Sequence, residues 1–221
     1  MPIAPGRAAA DALLSAAERA GANRAIWLTR TGARDIETHY GPQFGQLPLH
    51  YHAVPPTNST LETVHHGLAA PELALNNTTV ALGFPDMQFR EPDALNRLRE
   101  ELDDTGADVV LGCFVTDRPD KVDTVDIDAK GLVREIRIKS SDPASNYAWI
   151  LALWRPTFTR FLANRPLPAA PAQREQERYI GHELQAALAA GFTIRAVEFD
   201  SPLLDIGTPD DLARASTFWD S

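Results

Sequence analysis

The chain offers little sulfur chemistry, with one cysteine, Cys113, and two methionines among 221 residues. A lone cysteine excludes an internal disulfide, and its apolar setting between Val109 and Val115 reads as a buried thiol rather than a nucleophile. Positive charge is also short. With 21 Lys and Arg against 30 Asp and Glu the net charge is −9. That excludes a sequence-independent grip on nucleic acid polymers or an anionic membrane, because both need clustered cations. Long apolar runs are missing too: none reaches the ~18 residues of a membrane span, and the start lacks the basic flank and apolar core of a secretory signal. A soluble cytoplasmic protein is the resulting expectation. No internal repeat or interdomain linker is visible. The 44% of hydrophobic residues suffices for one sizeable core, and the length fits a single α/β domain over residues 1–221.

The segment Leu203-Leu204-Asp205-Ile206-Gly207-Thr208-Pro209-Asp210-Asp211-Leu212 carries the most information. It sets one carboxylate, Asp205, between a strand end and a helix start. Thr208 is placed to N-cap that helix, Pro209 suits its first position, and Asp211, three residues after Thr208, completes a capping box. By itself this is equally well a plain strand-to-helix corner. The partner lies upstream, in Thr78 to Phe89, a strand-like run broken by Gly83 and Pro85 and followed at once by Asp86. Ligands of open α/β sheets gather outside the carboxyl ends of strands. Two carboxylates there can hold a hard cation such as Mg²⁺, with phosphate oxygens and water as the other ligands.

Along the chain, strands and helices alternate. The expected elements are a helix over Ala8 to Ala20 closed by Gly21, a strand Ala25 to Thr29, a helix Ala33 to Tyr40 and a strand Leu49 to Val54. A helix Ser59 to Leu68, with Glu62 three residues after Ser59, a strand Thr78 to Phe84 and a helix Pro92 to Asp104 follow. This rhythm predicts a mostly parallel sheet with helices on both faces. From Asp108 consecutive strands take over: Asp108 to Thr116, Lys121 to Ile127, Leu132 to Lys139 and Tyr147 to Trp154, with Asp128-Ala129-Lys130-Gly131 as a hairpin turn. Helices Phe158 to Ala163 and Glu175 to Ala190 flank a Pro- and Ala-rich loop, Asn164 to Ala172, read as mobile. A last strand covers Phe192 to Phe199. The expected fold is α/β, with a mixed, mostly parallel central sheet flanked by helices.

Several segments share one order: Gly83-Phe84-Pro85-Asp86, Pro92-Asp93-Ala94, Gly106 to Val110, Arg137-Ile138-Lys139-Ser140, Asn146-Tyr147-Ala148-Trp149 and Asp205-Ile206-Gly207-Thr208. In that order they resemble the sugar-nucleotide pyrophosphorylases, a nucleotidyltransferase family that includes glucose-1-phosphate thymidylyltransferase. The resemblance covers most of the chain and implies the Rossmann-like fold of nucleotide-diphospho-sugar transferases. It implies a reaction too, in which a sugar-1-phosphate and a nucleoside triphosphate give a nucleotide-sugar and pyrophosphate. The family opens with a strand and a glycine-rich loop that wraps the triphosphate, and no such segment stands before Ala8 here. A first strand missing from the sheet, in a domain truncated at its N-terminus, is the expectation, and triphosphate binding comes into question. The missing strand belongs between Ala25–Thr29 and Thr78–Phe84, so low stability or a homo-oligomer is expected.

By the same resemblance Asp86 and Asp205 hold Mg²⁺, and Lys139 occupies the lysine of a Glu-Lys-Pro motif and neutralises the sugar phosphate. Its competing role is a solvated hairpin lysine. Ile138 stands where the family has Glu at a sugar hydroxyl, and Leu151 where Gly is common. Asn146 and Tyr147 are the sugar-side candidates, against plain strand packing, and Ser59 and Thr60 are the nucleobase-side candidates, against N-capping. The histidine pairs His50/His52 and His65/His66 converge poorly for zinc. Asp117, Asp120, Asp123, Asp126 and Asp128 read as a solvated acidic face rather than a calcium loop. A non-catalytic sugar-nucleotide-binding relative is the rival class. A glycosyltransferase is a third, weakened because Asp126-Ile127-Asp128 leads into a hairpin turn.

Overall fold

The computed structural model describes residues 2–4, 6–166 and 179–219. Most of the Asn164–Ala172 loop and the first turn expected of the Glu175–Ala190 helix lie outside them. The chain opens with a small antiparallel hairpin, β1 (Pro2–Ala4) and β2 (Arg7–Ala8), and then runs α1 (Asp11–Arg19), β3 (Ala25–Arg30), α2 (Asp35–Tyr40), β4 (Gln43–Phe44), β5 (Leu47–Val54) and α3 (Thr60–Ala69). It continues through β6 (Val80–Gly83), β7 (Met87–Gln88), α4 (Ala94–Thr105), β8 (Val109–Val115), β9 (Asp123–Ile127), β10 (Val133–Ile138) and β11 (Tyr147–Trp154). The last elements are α5 (Pro156–Ala163), α6 (Ile180–Ala189), β12 (Ile194–Pro202), β13 (Leu204–Asp205) and α7 (Pro209–Phe218). Helix α1 starts at Asp11 rather than Ala8, because residues 7–8 pair with the strand before them.

The larger sheet has the order β10-β9-β11-β8-β12, and β6 joins the edge of β11. Strands β6, β8 and β12 run in one direction, and β11 runs against them. The central strands are apolar along their length because helices cover both faces. On β8, Val109, Leu111 and Cys113 face a core shared with α3, α5 and α6. Val110 and Phe114 face the opposite core, shared with α1 and α4. Strand β11 alternates likewise, with a bulge between Trp149 and Leu151. Trp149 and Trp154 fill the first core, and the Trp154 indole donates to Thr159 Oγ1 at 2.9 Å. Cys113 is fully buried, and burial pushes its thiol well above the ordinary range.

A second sheet, β3-β5-β4, has β3 parallel to β5. It is bracketed by the same helices as the first. On one face of α1, Ala10 and Leu14 pack on Leu47 and Leu49, while Leu13 and Ala16 join the core under β8 and β11. On the other side of the layer, α3 sets Gly67 against Leu28 of β3 and sends Leu61 and Val64 to the core beside Leu82 of β6. The two sheets therefore share one layer. Among the described residues β3 pairs only with β5 and β6 only with β11, so two strand edges stand unpaired between α1 and α3. This is where the resemblance places the missing first strand. The β1–β2 hairpin does not fill the position; Ile3 and Ala9 pack instead on Leu204, Ile206 and Ala215 at α7.

Candidate active site

Main-chain pairing brings the two aspartates together. Strands β7 and β13 form an antiparallel ribbon with Asp205 opposite Met87, and the Ile206 N–H donates to the Asp86 carbonyl at 3.1 Å. The corner after Asp205 is rigid for the reason legible in the sequence: Thr208 Oγ1 accepts from the Asp211 N–H at 3.2 Å, and Asp211 Oδ2 accepts from the Thr208 N–H at 3.1 Å. Buried Gln88 donates to the Ala9 carbonyl at 2.7 Å and anchors the ribbon from below.

Both carboxyls are held above the usual range. For Asp205 the largest cause is burial, followed by the charges of Asp86 and Asp211, while Arg118 and Lys139 pull the other way. For Asp86 the cause is again desolvation by the surrounding protein, opposed by a hydrogen bond from its own backbone N–H. Two anions set side by side oppose each other's ionisation, and a cation between them reverses that penalty. The donors are oxygens, and among the described residues no group of three or more His, Cys, Asp or Glu assembles. Such a set suits a hard ion that keeps water and phosphate oxygens as its other ligands, as Mg²⁺ does.

Asp205 opens onto a narrow cleft of about 30 Å³ whose wall includes Arg118 and Lys121. Arg118 donates through Nη2 to Asp211 Oδ1 at 2.7 Å. A larger cavity of about 380 Å³ lies against α7, between Asp117 and Phe218, and includes neither Asp86 nor Asp205. The paired carboxylates and the larger cavity are therefore separate features of this end of the molecule.

Lys139 follows β10 with its backbone in the left-handed region, φ 42°, a conformation that costs energy for a residue with a Cβ. Its Nζ stands 3.9 Å from the centroid of the Tyr179 ring, and its charge reaches both Asp123 and Asp205. Lys139 thus lies within electrostatic reach of Asp205, to which the ribbon joins Asp86. Ser59 and Thr60 sit at the start of α3, where Ser59 Oγ accepts from the Glu62 N–H at 3.2 Å and Thr60 is exposed. Asn146 is exposed, and its carbonyl accepts from the Thr116 N–H at 2.9 Å. The Tyr147 hydroxyl donates to Asp200 Oδ1 on β12 at 3.1 Å.

Two charged residues at the rim escaped the sequence reading. Arg118 lies between the two strands expected there, and nothing in its neighbourhood announces that it reaches Asp211 and Asp205. Asp123 belongs to the acidic run read as solvated, yet it is mostly buried beside Lys139 and Trp149. The strand period held a signal, because Asp123 shares a face of β9 with fully buried Val125. Burial raises its pKa from 3.8 to about 6, against the pull of Lys139. The nearby Trp149 N–H pulls the same way without meeting hydrogen-bond geometry. With the folded value above the unfolded one, this group's contribution to stability is complete below pH 3.8 and is lost as pH rises through about 6. Asp123→Asn is therefore expected to flatten the pH dependence of unfolding over that window and to raise stability at pH 7.5 by at most about 3 kcal/mol. Urea melts at pH 4.5 and 7.5 check it, and a variant that keeps the wild-type slope refutes it.

No protein-family profile and no curated protein matches the sequence. Solved structures do. A Bacillus anthracis protein described as a glucose-1-phosphate thymidylyltransferase, solved in complex with sucrose, superposes over 98% of this chain and 84% of its own with a TM-score of 0.82 at 16% identity. The chain has the sugar-nucleotide pyrophosphorylase fold. A UDP-glucose pyrophosphorylase complexed with UDP-glucose shares this fold over 99% of this chain and 88% of its own, at a TM-score of 0.79 and 15% identity. Another, from Acinetobacter baumannii, does so over 95% and 81%, at 0.75 and 14%. The mixed sheet with helices on both faces has the arrangement anticipated from the order of segments.

Proposed function

We propose that this protein joins a sugar-1-phosphate to a nucleoside triphosphate, releasing pyrophosphate. The observation that carries the reading is the β7–β13 ribbon, which sets Asp86 and Asp205 together at a rim flanked by Arg118 and Lys139. In the transfer, a sugar-phosphate oxygen bonds to the α-phosphorus as the bond to the β-phosphate oxygen breaks, and pyrophosphate leaves. Little proton movement is needed, so positioning and charge neutralisation supply the rate. A Mg²⁺ ion bound by Asp86 and Asp205 would neutralise charge on the phosphate oxygens. Lys139 would balance the sugar phosphate, and Arg118 would steer the incoming polyanion through the cleft beside Asp205. Ser59 and Thr60 on the nucleobase side, and Asn146 and Tyr147 on the sugar side, keep the roles implied by resemblance.

A non-catalytic nucleotide-sugar-binding protein is the second reading. It is favoured by the unpaired position beside β3 and β6, where the resemblance puts the triphosphate loop, and by Ile138 in place of a hydroxyl-binding Glu. Pyrophosphate release from a panel of triphosphates with glucose-1-phosphate and magnesium separates the two. Turnover is expected, and heat of binding without release would establish the second reading. Lys139→Ala is expected to lower kcat/KM by about 10- to 100-fold, the worth of a charge-assisted hydrogen bond to phosphate. An unchanged value would return Lys139 to a solvated hairpin lysine.

A further inference from the structure

The first turn of α6 is seated on the ends of β9 and β10. Gly181 makes the seat possible, since a Cβ at that position would collide with Asp123 Oδ2 and press on Ile138 Cγ1. One turn further on, the Gln185 side chain donates to the Ile136 carbonyl. Tyr179, the residue just before α6, is thereby brought over Lys139, whose Nζ stands 3.9 Å from the ring centroid. The ring is itself held in place. Its plane lies 13° from that of the His182 imidazole, with centroids 6.0 Å apart, and His182 Nδ1 accepts from the Tyr179 N–H at 3.0 Å. On the other side of the contact, the left-handed backbone at Lys139, φ 42°, ends the alternation of β10.

A solvent-exposed lysine carries its charge on a flexible stem, and water or any nearby anion can claim the ammonium group. Lys139 is exposed, and both Asp123 and Asp205 attract it. Pairing with either would neutralise the charge that a phosphate needs. An aromatic face attracts a cation through its quadrupole and cancels none of that charge. It also covers one side of the ammonium only, which leaves N–H donors for an incoming anion. We propose that Tyr179 is a positioning residue for the transfer: its ring holds the Lys139 ammonium, still fully charged, where the phosphate of the sugar-1-phosphate arrives. The hydroxyl of Tyr179 has no part in this, so the ring face is all that the role requires. The inference rests on the nucleotidyltransferase reading and adds to it a residue that acts only through Lys139.

A double-mutant cycle tests it. Pyrophosphate release and glucose-1-phosphate affinity are measured for the wild type, Tyr179→Phe, Tyr179→Leu, Lys139→Ala and the Tyr179→Leu/Lys139→Ala double variant. Tyr179→Leu is expected to lower kcat/KM about threefold to tenfold, raising KM for glucose-1-phosphate and leaving KM for the triphosphate within about twofold. Tyr179→Phe keeps the ring and is expected to stay within about twofold of the wild type. In the Lys139→Ala background the Tyr179→Leu change is expected to cost less than about twofold, because no ammonium remains to be placed. A loss that persists in that background is structural and overturns the inference. So does a Tyr179→Leu protein as active as the wild type, or more active, the latter marking the ring as a trap for Lys139. One readout needs no turnover: the ring current of Tyr179 is expected to shift the Lys139 Hε NMR signals upfield in the wild type and in Tyr179→Phe but not in Tyr179→Leu. Unshifted signals in the wild type overturn the contact itself. A wild type that binds glucose-1-phosphate without turnover overturns the nucleotidyltransferase reading alone, and the cycle is then read in affinity. A wild type that does not bind it overturns both.

Discussion

Asp205→Asn is expected to reduce magnesium-dependent pyrophosphate release by about 1,000-fold, the several kcal/mol that a metal-bound phosphoryl oxygen contributes. The variant keeps the size and shape of the side chain. The β7–β13 ribbon is held by main-chain atoms and the corner by Thr208 and Asp211, so none of these contacts depends on the Asp205 charge. Burial and the neighbouring anions already disfavour the ionised form of Asp205, so removing the charge is expected to leave the melting temperature unchanged or higher. Asp211 supplies the contrast. Its carboxyl is held below the ordinary range by Thr208 first and Arg118 second, so Asp211→Asn should lower stability. Activity and thermal melts measured on both variants separate a metal ligand from a structural carboxylate. An Asp205→Asn protein that retains a tenth or so of wild-type turnover would sink the shared-cation site, because losing one of two ligands leaves too little to hold the ion.

The second large effect is on stability. Strands β3 and β6 present unpaired edges between α1 and α3, and their residues are half-buried rather than freely hydrated: Ile26, Trp27 and Leu28 on β3, Val80 and Leu82 on β6. A buried N–H or C=O without a partner costs about 1 to 3 kcal/mol, so even a few such groups consume much of the ~5–15 kcal/mol that holds a domain together. The Trp27 indole Nε1, shut off from solvent and without a partner among the described residues, adds to the burden. An unpaired edge is also a template for another chain. The chain is expected either to melt below about 45 °C, the low end of ordinary domains, or to self-associate and melt at a temperature that rises with protein concentration. Differential scanning calorimetry across a hundredfold concentration range, with sedimentation of the same samples, decides. A monomer whose midpoint exceeds about 65 °C at every concentration would show that the open edges cost nothing.

How much was readable in advance follows from the range of the interactions concerned. The Thr208–Asp211 capping box came through as written, and of Asn58 and Ser59, the two residues that could cap α3, the structure uses Ser59 with Glu62, because each cap joins residues three apart along one helix start. Strand β11 was legible to the residue, since eight nearly unbroken apolar positions between polar ends leave no helical alternative. Helix starts shifted where a neighbour competed, as when residues 7–8 paired into a hairpin and delayed α1 to Asp11. Asp86 and Asp205 could be nominated separately from the strand ends they follow. That they meet depends on the Ile206–Asp86 main-chain hydrogen bond, and no local pattern encodes a contact over that separation.

Asp123 shows the limit most clearly. Its neighbours in the chain are acidic and polar, which made a solvated face the natural reading. Its environment is set by Trp149 on another strand, Gly181 on a helix and Lys139 beyond a hairpin. Composition, strand period and capping chemistry by themselves determined the α/β class, most of the helices and central strands, and the nomination of Asp86 and Asp205 as two separate candidates, because each is written in residues a few positions apart. Which charges share a rim, which polar atoms are shut away from water without a partner, and the open place between β3 and β6 were decided only by the tertiary structure. Those properties belong to distances through space, and the chain's linear order does not carry them.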